Sequence, residues 1–311
     1  MSAARTPAVR RGRLRRGLGG VVPAAVLVLA LGGCMAGGPS SGNGSMPASS
    51  GGSASALVTS LPLETAAAAA TMPVYWLGHS GDDVFLYREF LKAQPDADPI
   101  VAALTAMTSQ RPADPDYFTV WRKPSRLGVS ISGTNTITVD ISADAFAAKV
   151  DLGIAERAIA QLVYTATAAA SMAGLVDPAA NLQVSILVDG HTGFNAFGRV
   201  VLDHPLSREN TFVAPIWVVN PPEAAALTVS PVTVSGRAIS STGTLDWQLR
   251  AVGGGVVQSG TTAIAAGADK LGDFSFKVTT APGTYEIRVF TADPSVPGSQ
   301  VGVDSKTFTL K

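Results

Sequence analysis

One cysteine stands in 311 residues, so no disulfide can close within the chain and no cysteine-based metal site can form. Histidine is nearly as scarce. His79, His191 and His204 are the only three, each in a predicted loop, and none has the His-x-His or i, i+4 spacing of a histidine metal site. A Ser-His-Asp triad would have to assemble from these scattered positions. The nearest approach to a nucleophile elbow, Gly78-His79-Ser80-Gly81-Asp82, has Asp82 where the motif needs glycine, and no helical pattern follows it. Phosphate-cradling and dinucleotide-binding glycine loops are absent; Gly253-Gly254-Gly255 lies between two strand patterns and reads as a turn. Three carboxylate pairs occur, Asp82-Asp83, Asp96-x-Asp98 and Asp114-x-Asp116, none with EF-hand spacing. Asp98 and Asp114 precede prolines and read as cap or turn residues. The sequence therefore predicts no catalytic constellation, no metal and no cofactor.

Charge of either sign is thin, 23 basic against 23 acidic residues, and no basic patch of the kind that binds nucleic acid is visible. That balance hides an asymmetry. Arg5, Arg10, Arg11, Arg13, Arg15 and Arg16 precede the apolar run 21–31 with no acid among them. Without these six arginines the rest has 17 basic residues against 23 acidic, a net charge near −6. A positive segment, a short apolar run and small residues make a secretory signal. The apolar run falls short of the about 20 residues a membrane-spanning helix needs. Leu31-Gly32-Gly33-Cys34 ends it, and Cys34 resembles the lipid-accepting cysteine of a bacterial lipoprotein, whose thiol takes up diacylglycerol and becomes the mature N-terminus. A thiolate is a suitable nucleophile for that step. The alternatives are a plain signal peptide, or an anchor with an incidental cysteine.

Residues 1–33 are thus read as a signal peptide and 34–71 as a Gly/Ser-rich tether, whose first twenty-odd residues would span on the order of 25 Å as a flexible coil. A first folded region, 72–190, opens with a hairpin of Val74-Tyr75-Trp76-Leu77 and Val84-Phe85-Leu86-Tyr87-Arg88 around a longer loop. Asp98-Pro99 opens a helix with Ile100, Ala103, Leu104 and Met107 on one face. A polar, proline-broken stretch, 111–124, carries Tyr117, Phe118 and Trp121. A second hairpin, 128–132 with 136–141, precedes the strongest helical pattern, 153–172, striped by Ile154, Ala158, Leu162, Ala166 and Ala169, with Glu156 in its first turn. The strand 182–188 ends at Asp189-Gly190. The order β-β-α-β-β-α-β predicts an α+β domain with helices on one sheet face.

Residues 191–212 read as an interdomain linker. From 213 to 311, about seven short alternating strands at ten-residue spacing, separated by Gly, Pro, Asn and Asp turns, predict an all-β immunoglobulin-like sandwich. Trp247, mid-strand and inward by alternation, is expected to fill its core. Tyr75, Tyr117 and Trp121 leave two readings open: a partner-binding or glycan-binding patch, or aromatics packed down as a local cluster. Alternation puts Tyr75 and Trp76 on opposite faces, so at most one of them is expected in the core.

Several phrases in order resemble the GerMN domain of sporulation and germination proteins: Val74-Tyr75-Trp76-Leu77, Val139-Asp140-Ile141-Ser142, Glu156 with Ala160-Gln161-Leu162-Val163-Tyr164, and Val184-Ser185-Ile186-Leu187-Val188-Asp189-Gly190. Asp114-Pro115-Asp116-Tyr117 looks like a variant found in actinobacterial lipoproteins. Pro205-Leu206-Ser207-Arg208, Pro215-Ile216-Trp217-Val218-Val219, Val232-Thr233-Val234-Ser235-Gly236-Arg237-Ala238 and Phe290-Thr291-Ala292-Asp293 resemble the immunoglobulin-like module of bacterial spore germination. Residues 111–124 and 174–180 depart from a compact GerMN pattern. The resemblance implies an accessory protein of the cell envelope and no catalytic residue. Together these readings predict a non-enzymatic scaffold or adaptor on the extracytoplasmic face of the cell membrane, lipid-anchored (palmitate among its acyl chains) and contacting envelope proteins. Peptidoglycan or glycan binding is the alternative, and an envelope hydrolase stands behind both.

Overall fold

The computed structural model describes residues 71–94, 97–133, 135–177, 179–293, 296 and 298–311. The predicted signal peptide, Cys34 and residues 35–70 of the predicted tether lie outside the described residues; Thr71, expected to end the tether, instead begins the first strand.

The first hairpin is longer and tighter than its sequence predicts. β1 (Thr71–Ser80) and β2 (Asp83–Lys92) pair antiparallel along their whole length, Ser80 facing Asp83 across a two-residue turn. Gly81 takes φ +63° there, which a side chain would resist and which suits the twist of a tight hairpin. α1 (Pro99–Ser109) starts as expected: the Asp98 carboxylate accepts hydrogen bonds from the amides of Ile100 and Val101, both at 2.9 Å. A short β3 (Tyr117–Phe118) pairs with β1, so the polar stretch after α1 returns to the first sheet, ordered β2-β1-β3. β4 (Leu127–Ser132) and β5 (Thr136–Ile141) form the second hairpin, and β6 (Gln183–Val188) lies parallel to β5. A parallel neighbour needs a crossover, which α2 (Leu152–Met172) supplies.

The expected elements are all present in order, with the short β3 in addition, but the strands form two three-stranded sheets, β2-β1-β3 and β4-β5-β6. α2 packs against β1, β2, β6 and α1, so residues 158–170 are buried all round rather than along one stripe. Its N-cap is Asp151, whose carboxylate accepts from the Ile154 amide at 2.9 Å; Glu156 falls beyond the first turn. Burial on both faces of β1 also overturns the expectation that only one of Tyr75 and Trp76 is interior. Trp76 enters the main core, and Tyr75 joins a smaller cluster with Leu77, Leu86 and Tyr164.

Residues 191–212 are not a free linker. They form the hairpin β7 (Phe194–Ala196) and β8 (Val200–Leu202), and Ala196, Phe197 and Leu202 are buried in the main core. Their polar character and turn residues (Gly193 and Gly198 have positive φ) conceal the few apolar side chains that anchor them.

The second region is a two-sheet sandwich. One sheet is β10 (Ala225–Leu227), β16 (Gln300–Leu310), β15 (Gly283–Ala292), β12 (Thr244–Ala251) and β13 (Val256–Ala263), in that order; the other is β14 (Gly272–Val278), β11 (Val232–Ala238) and β9 (Ile216–Asn220). The seven strands expected from alternation are all present, with β10 in addition. Val234, Leu249, Ile287 and Phe308 fill the centre. Trp247 faces inward but sits half-buried at the flank, stacked on Phe276 at 4.8 Å and roofed by Gly260, where a Cβ would meet its ring at 2.7 Å. The core therefore closes on aliphatic side chains and Phe308, and the tryptophan seals its edge.

Candidate functional site

The most concentrated chemistry in the chain lies where the two sheet systems meet. β9 begins the junction: Ile216 and Val218 point into the sandwich core, while Trp217, on the opposite face of the strand, is buried in the first core. β16 completes it. Asp304, Lys306, Phe308 and Leu310 share one face of that strand; the last two fill the sandwich, whereas Asp304 and Lys306, both about 5% exposed or less, meet the first domain.

The first domain presents Asp114 and Tyr117 to them. Glu89 on β2 accepts from the amides of Ala113 (3.0 Å) and Asp114 (2.8 Å), which clips the 113–117 loop to the sheet. Asp114 accepts from the Asp116 amide at 2.9 Å, the turn role its sequence predicts. Gly78 makes room for the ring stack of Tyr87 and Tyr117, 4.6 Å apart, because a Cβ there would lie 2.7–2.8 Å from the two rings.

The Lys306 ammonium donates to Asp114 Oδ2 and to the Tyr117 hydroxyl (2.6 Å), and stands 3.7 Å from Asp304 Oδ1. The Tyr117 hydroxyl in turn donates to Asp304 Oδ1 at 2.8 Å, and the Val218 amide donates to Asp304 Oδ2 at 2.5 Å. Burial pushes the carboxyls of Asp304 and Glu89 above the usual carboxylate range. Burial pulls Lys306 down, but Asp304 and Asp114 outweigh it and hold the ammonium above the ordinary lysine value. Burial also pushes the phenols of Tyr117 and Tyr87 well up. Asp114, Tyr117, Asp304 and Lys306 are all hydrogen-bonded to one another or to the backbone, so the network joins the two domains.

An alkaline test follows. An unfolded chain releases phenolic protons near pH 10 and lysine protons near 10.4, roughly, whereas the folded chain retains both to higher pH. The stabilisation is therefore complete below about pH 10 and is lost as pH rises through the raised folded values. Urea midpoints from about pH 8 to 11 are expected to fall steeply at the upper end, and Tyr117→Phe is expected to flatten that fall.

The predicted aromatic patch does not exist as a surface. Tyr75, Tyr117 and Trp121 are 3%, 7% and 4% exposed. Tyr117 serves the junction. Trp121 packs against Phe146 (4.9 Å) and Phe197 (5.3 Å) and donates Nε1–H to the Ala158 carbonyl at 3.2 Å. Tyr75 leans on Tyr164 at 5.1 Å, its backbone held by Thr165 and Gln161 from α2. The aromatic-rich loop folds inward because the 191–212 segment and α2 supply apolar partners distant in sequence. Ser80 and Gly81 sit at a strand-to-strand turn, not a nucleophile elbow, and His79 stacks on Phe118 at 5.3 Å. Asp82 and Asp83 are exposed on the same turn, and Asp96 lies outside the described residues. Among the described residues no group of three or more His, Cys, Asp or Glu side chains could hold a metal ion.

Lys306 and Asp304 escaped sequence reasoning. Their signal is a charged pair in phase with the inward positions Phe308 and Leu310, where a solvated strand would place its polar residues on the other face.

Comparison with known proteins accords with this two-part architecture. Residues 73–193 match the family model described as sporulation and spore germination, and residues 215–296 match that of the immunoglobulin-like domain of bacterial spore germination. No curated protein matches the chain. Among solved structures, the tandem GerMN domains of the sporulation protein GerM from Bacillus subtilis are similar at 19% identity and a TM-score of 0.33, over 45% of this chain and 46% of that one. This chain thus spans about half the length of that structure. CopC from Methylosinus trichosporium OB3b is similar at 17% identity and a TM-score of 0.24, over 30% of this chain and 92% of that one. The protein therefore combines a domain of the sporulation and spore germination family with the immunoglobulin-like domain of bacterial spore germination, two families of non-enzymatic type.

Proposed function

We propose that this protein is a non-catalytic scaffold or adaptor of the bacterial cell envelope, held to the extracytoplasmic face of the membrane by diacylglycerol on Cys34 and contacting envelope proteins through its folded body. The observation that carries the reading is the junction of Lys306, Asp114, Tyr117 and Asp304, whose polar groups are spent on joining the two domains. A body assembled in this way presents two modules in one fixed arrangement, which suits contact with a multi-protein partner. The Leu31-Gly32-Gly33-Cys34 motif supports the anchor, and the Gly/Ser-rich residues that follow it suit a leash. The glycan reading loses its main support, since the aromatic side chains that suggested it are buried.

Two measurements test the proposal separately. Labelling growing cells with a fatty-acid analogue should mark the wild-type chain and not Cys34→Ser; equal labelling of both would refute the anchor. Cross-linking on intact membranes, followed by identification of the captured chains, should recover integral envelope proteins. Recovery of lipoprotein-processing factors alone would refute the scaffold role.

A further inference from the structure

The 191–212 segment, besides burying Phe197 and Leu202, leaves a groove of about 280 Å³ between itself and α2. Its floor is apolar: Ile159 and Val163 from α2, with half-buried Leu206 and Phe212 opposite. Its two charged lining residues are Glu156 and Glu209, both exposed. Neither carboxylate has a hydrogen bond or ion pair among the described residues. The cations beside them in sequence are turned to other work. Arg157 donates to the Val84 carbonyl and lies over the Phe212 ring at 5.6 Å; Arg208 donates to Thr167 Oγ1 at 2.7 Å and lies over the Tyr164 ring at 5.0 Å. Arg157 backs the Phe212 ring rather than lining the groove, so among the described residues the charged side chains that line this apolar trough are both acidic.

We infer that the groove is a docking site for a peptide segment of another envelope protein, in which aliphatic side chains are flanked by lysine or arginine. The apolar floor gains by being covered with an aliphatic side chain. Covering it also desolvates the rim, which a neutral segment would leave uncompensated and a basic one would neutralise. An anionic lipid surface would be repelled by the same two carboxylates. This names the partner chemistry of the scaffold proposed above and rests on that reading for where the partner is met. The binding itself is tested in solution, so a failure here leaves the cross-linking result standing.

The test uses the full-length chain in mild detergent and three labelled peptides: acetyl-Lys-Leu-Leu-Lys-amide, acetyl-Glu-Leu-Leu-Glu-amide and acetyl-Lys-Ser-Ser-Lys-amide. Saturable binding is expected for the first only, weakening with salt. The double variant Glu156→Gln/Glu209→Gln, which alters two exposed side chains, should weaken it roughly 5- to 10-fold, the loss of two rim ion pairs. Asp82→Asn/Asp83→Asn, on the distant hairpin turn, should leave it unchanged. Equal binding of all three peptides, no saturable binding of the first, or an unchanged affinity in the glutamine variant would overturn the assignment. So would preferential binding to anionic vesicles, or self-association that the peptide displaces, since the occupant would then be lipid or a second copy.

Discussion

Lys306→Met is expected to destabilise the protein by about 3–5 kcal/mol, the cost of leaving a buried charge without its partner. The variant keeps the aliphatic stem of the lysine and removes only the ammonium, so Asp114 and Asp304 face each other and the Tyr117 hydroxyl without a counter-ion. Urea unfolding followed by tryptophan fluorescence measures the effect. The pH dependence gives a second readout. Burial already holds the Asp304 carboxyl above its ordinary range, and losing the ammonium raises it further. An acid whose folded pKa is raised stabilises the fold below its unfolded value and loses that contribution as pH rises through the folded one. The variant should therefore be closest to wild type near pH 4 and furthest from it near neutrality, roughly. Lys306→Met/Asp114→Asn/Asp304→Asn, which removes the charges together, should recover part of the loss. If Lys306→Met unfolds at the wild-type midpoint across this range, the junction is not the ion-paired network described above.

Trp121→Ala is expected to cost about 3–5 kcal/mol, as removal of a large buried aromatic does. The ring touches Phe146 from the turn after β5 and Phe197 from the β7–β8 hairpin, and its Nε1–H meets a carbonyl of α2. One side chain thus pins three elements that are far apart in sequence. A surface aromatic would behave differently: its removal would leave the urea midpoint within about 0.5 kcal/mol of wild type and act only on binding. Denaturant curves separate the two outcomes, and an unchanged midpoint would restore the binding-patch reading of residues 111–124. Phe197→Ala should be destabilising in the same assay, because the 191–212 segment contributes to that core and is not a spacer.

Much of the architecture is legible locally. The helix α1 is announced by Asp98-Pro99 and by apolar residues three and four apart, and these are signals within a dozen residues. The sandwich strands show themselves by alternation, because one face of each is wet and the other dry. The failures share a cause. A period of two puts Tyr75 and Trp76 on opposite faces of their strand but says nothing about whether both faces are covered, and both are. The β7–β8 hairpin carries its apolar residues singly among Asn, Arg, Asp and Gly, so no periodicity marks it. The 156–212 groove joins residues of α2 to a segment some forty positions later, a pairing that no local pattern encodes.

What the amino-acid order determined by itself is the succession of elements, the two-domain division with its spore-germination resemblance, and the absence of any familiar catalytic or metal-binding spacing. These follow from short-range periodicity, turn chemistry and composition. Only the tertiary structure decided that the loop aromatics are interior, that the presumed linker belongs to the first core, and that Lys306 and Asp304 close a buried junction with Asp114 and Tyr117. The reason is that burial and ion pairing are properties of distances between segments. Asp114 and Lys306 stand 192 positions apart, and only folding brings their charges into contact.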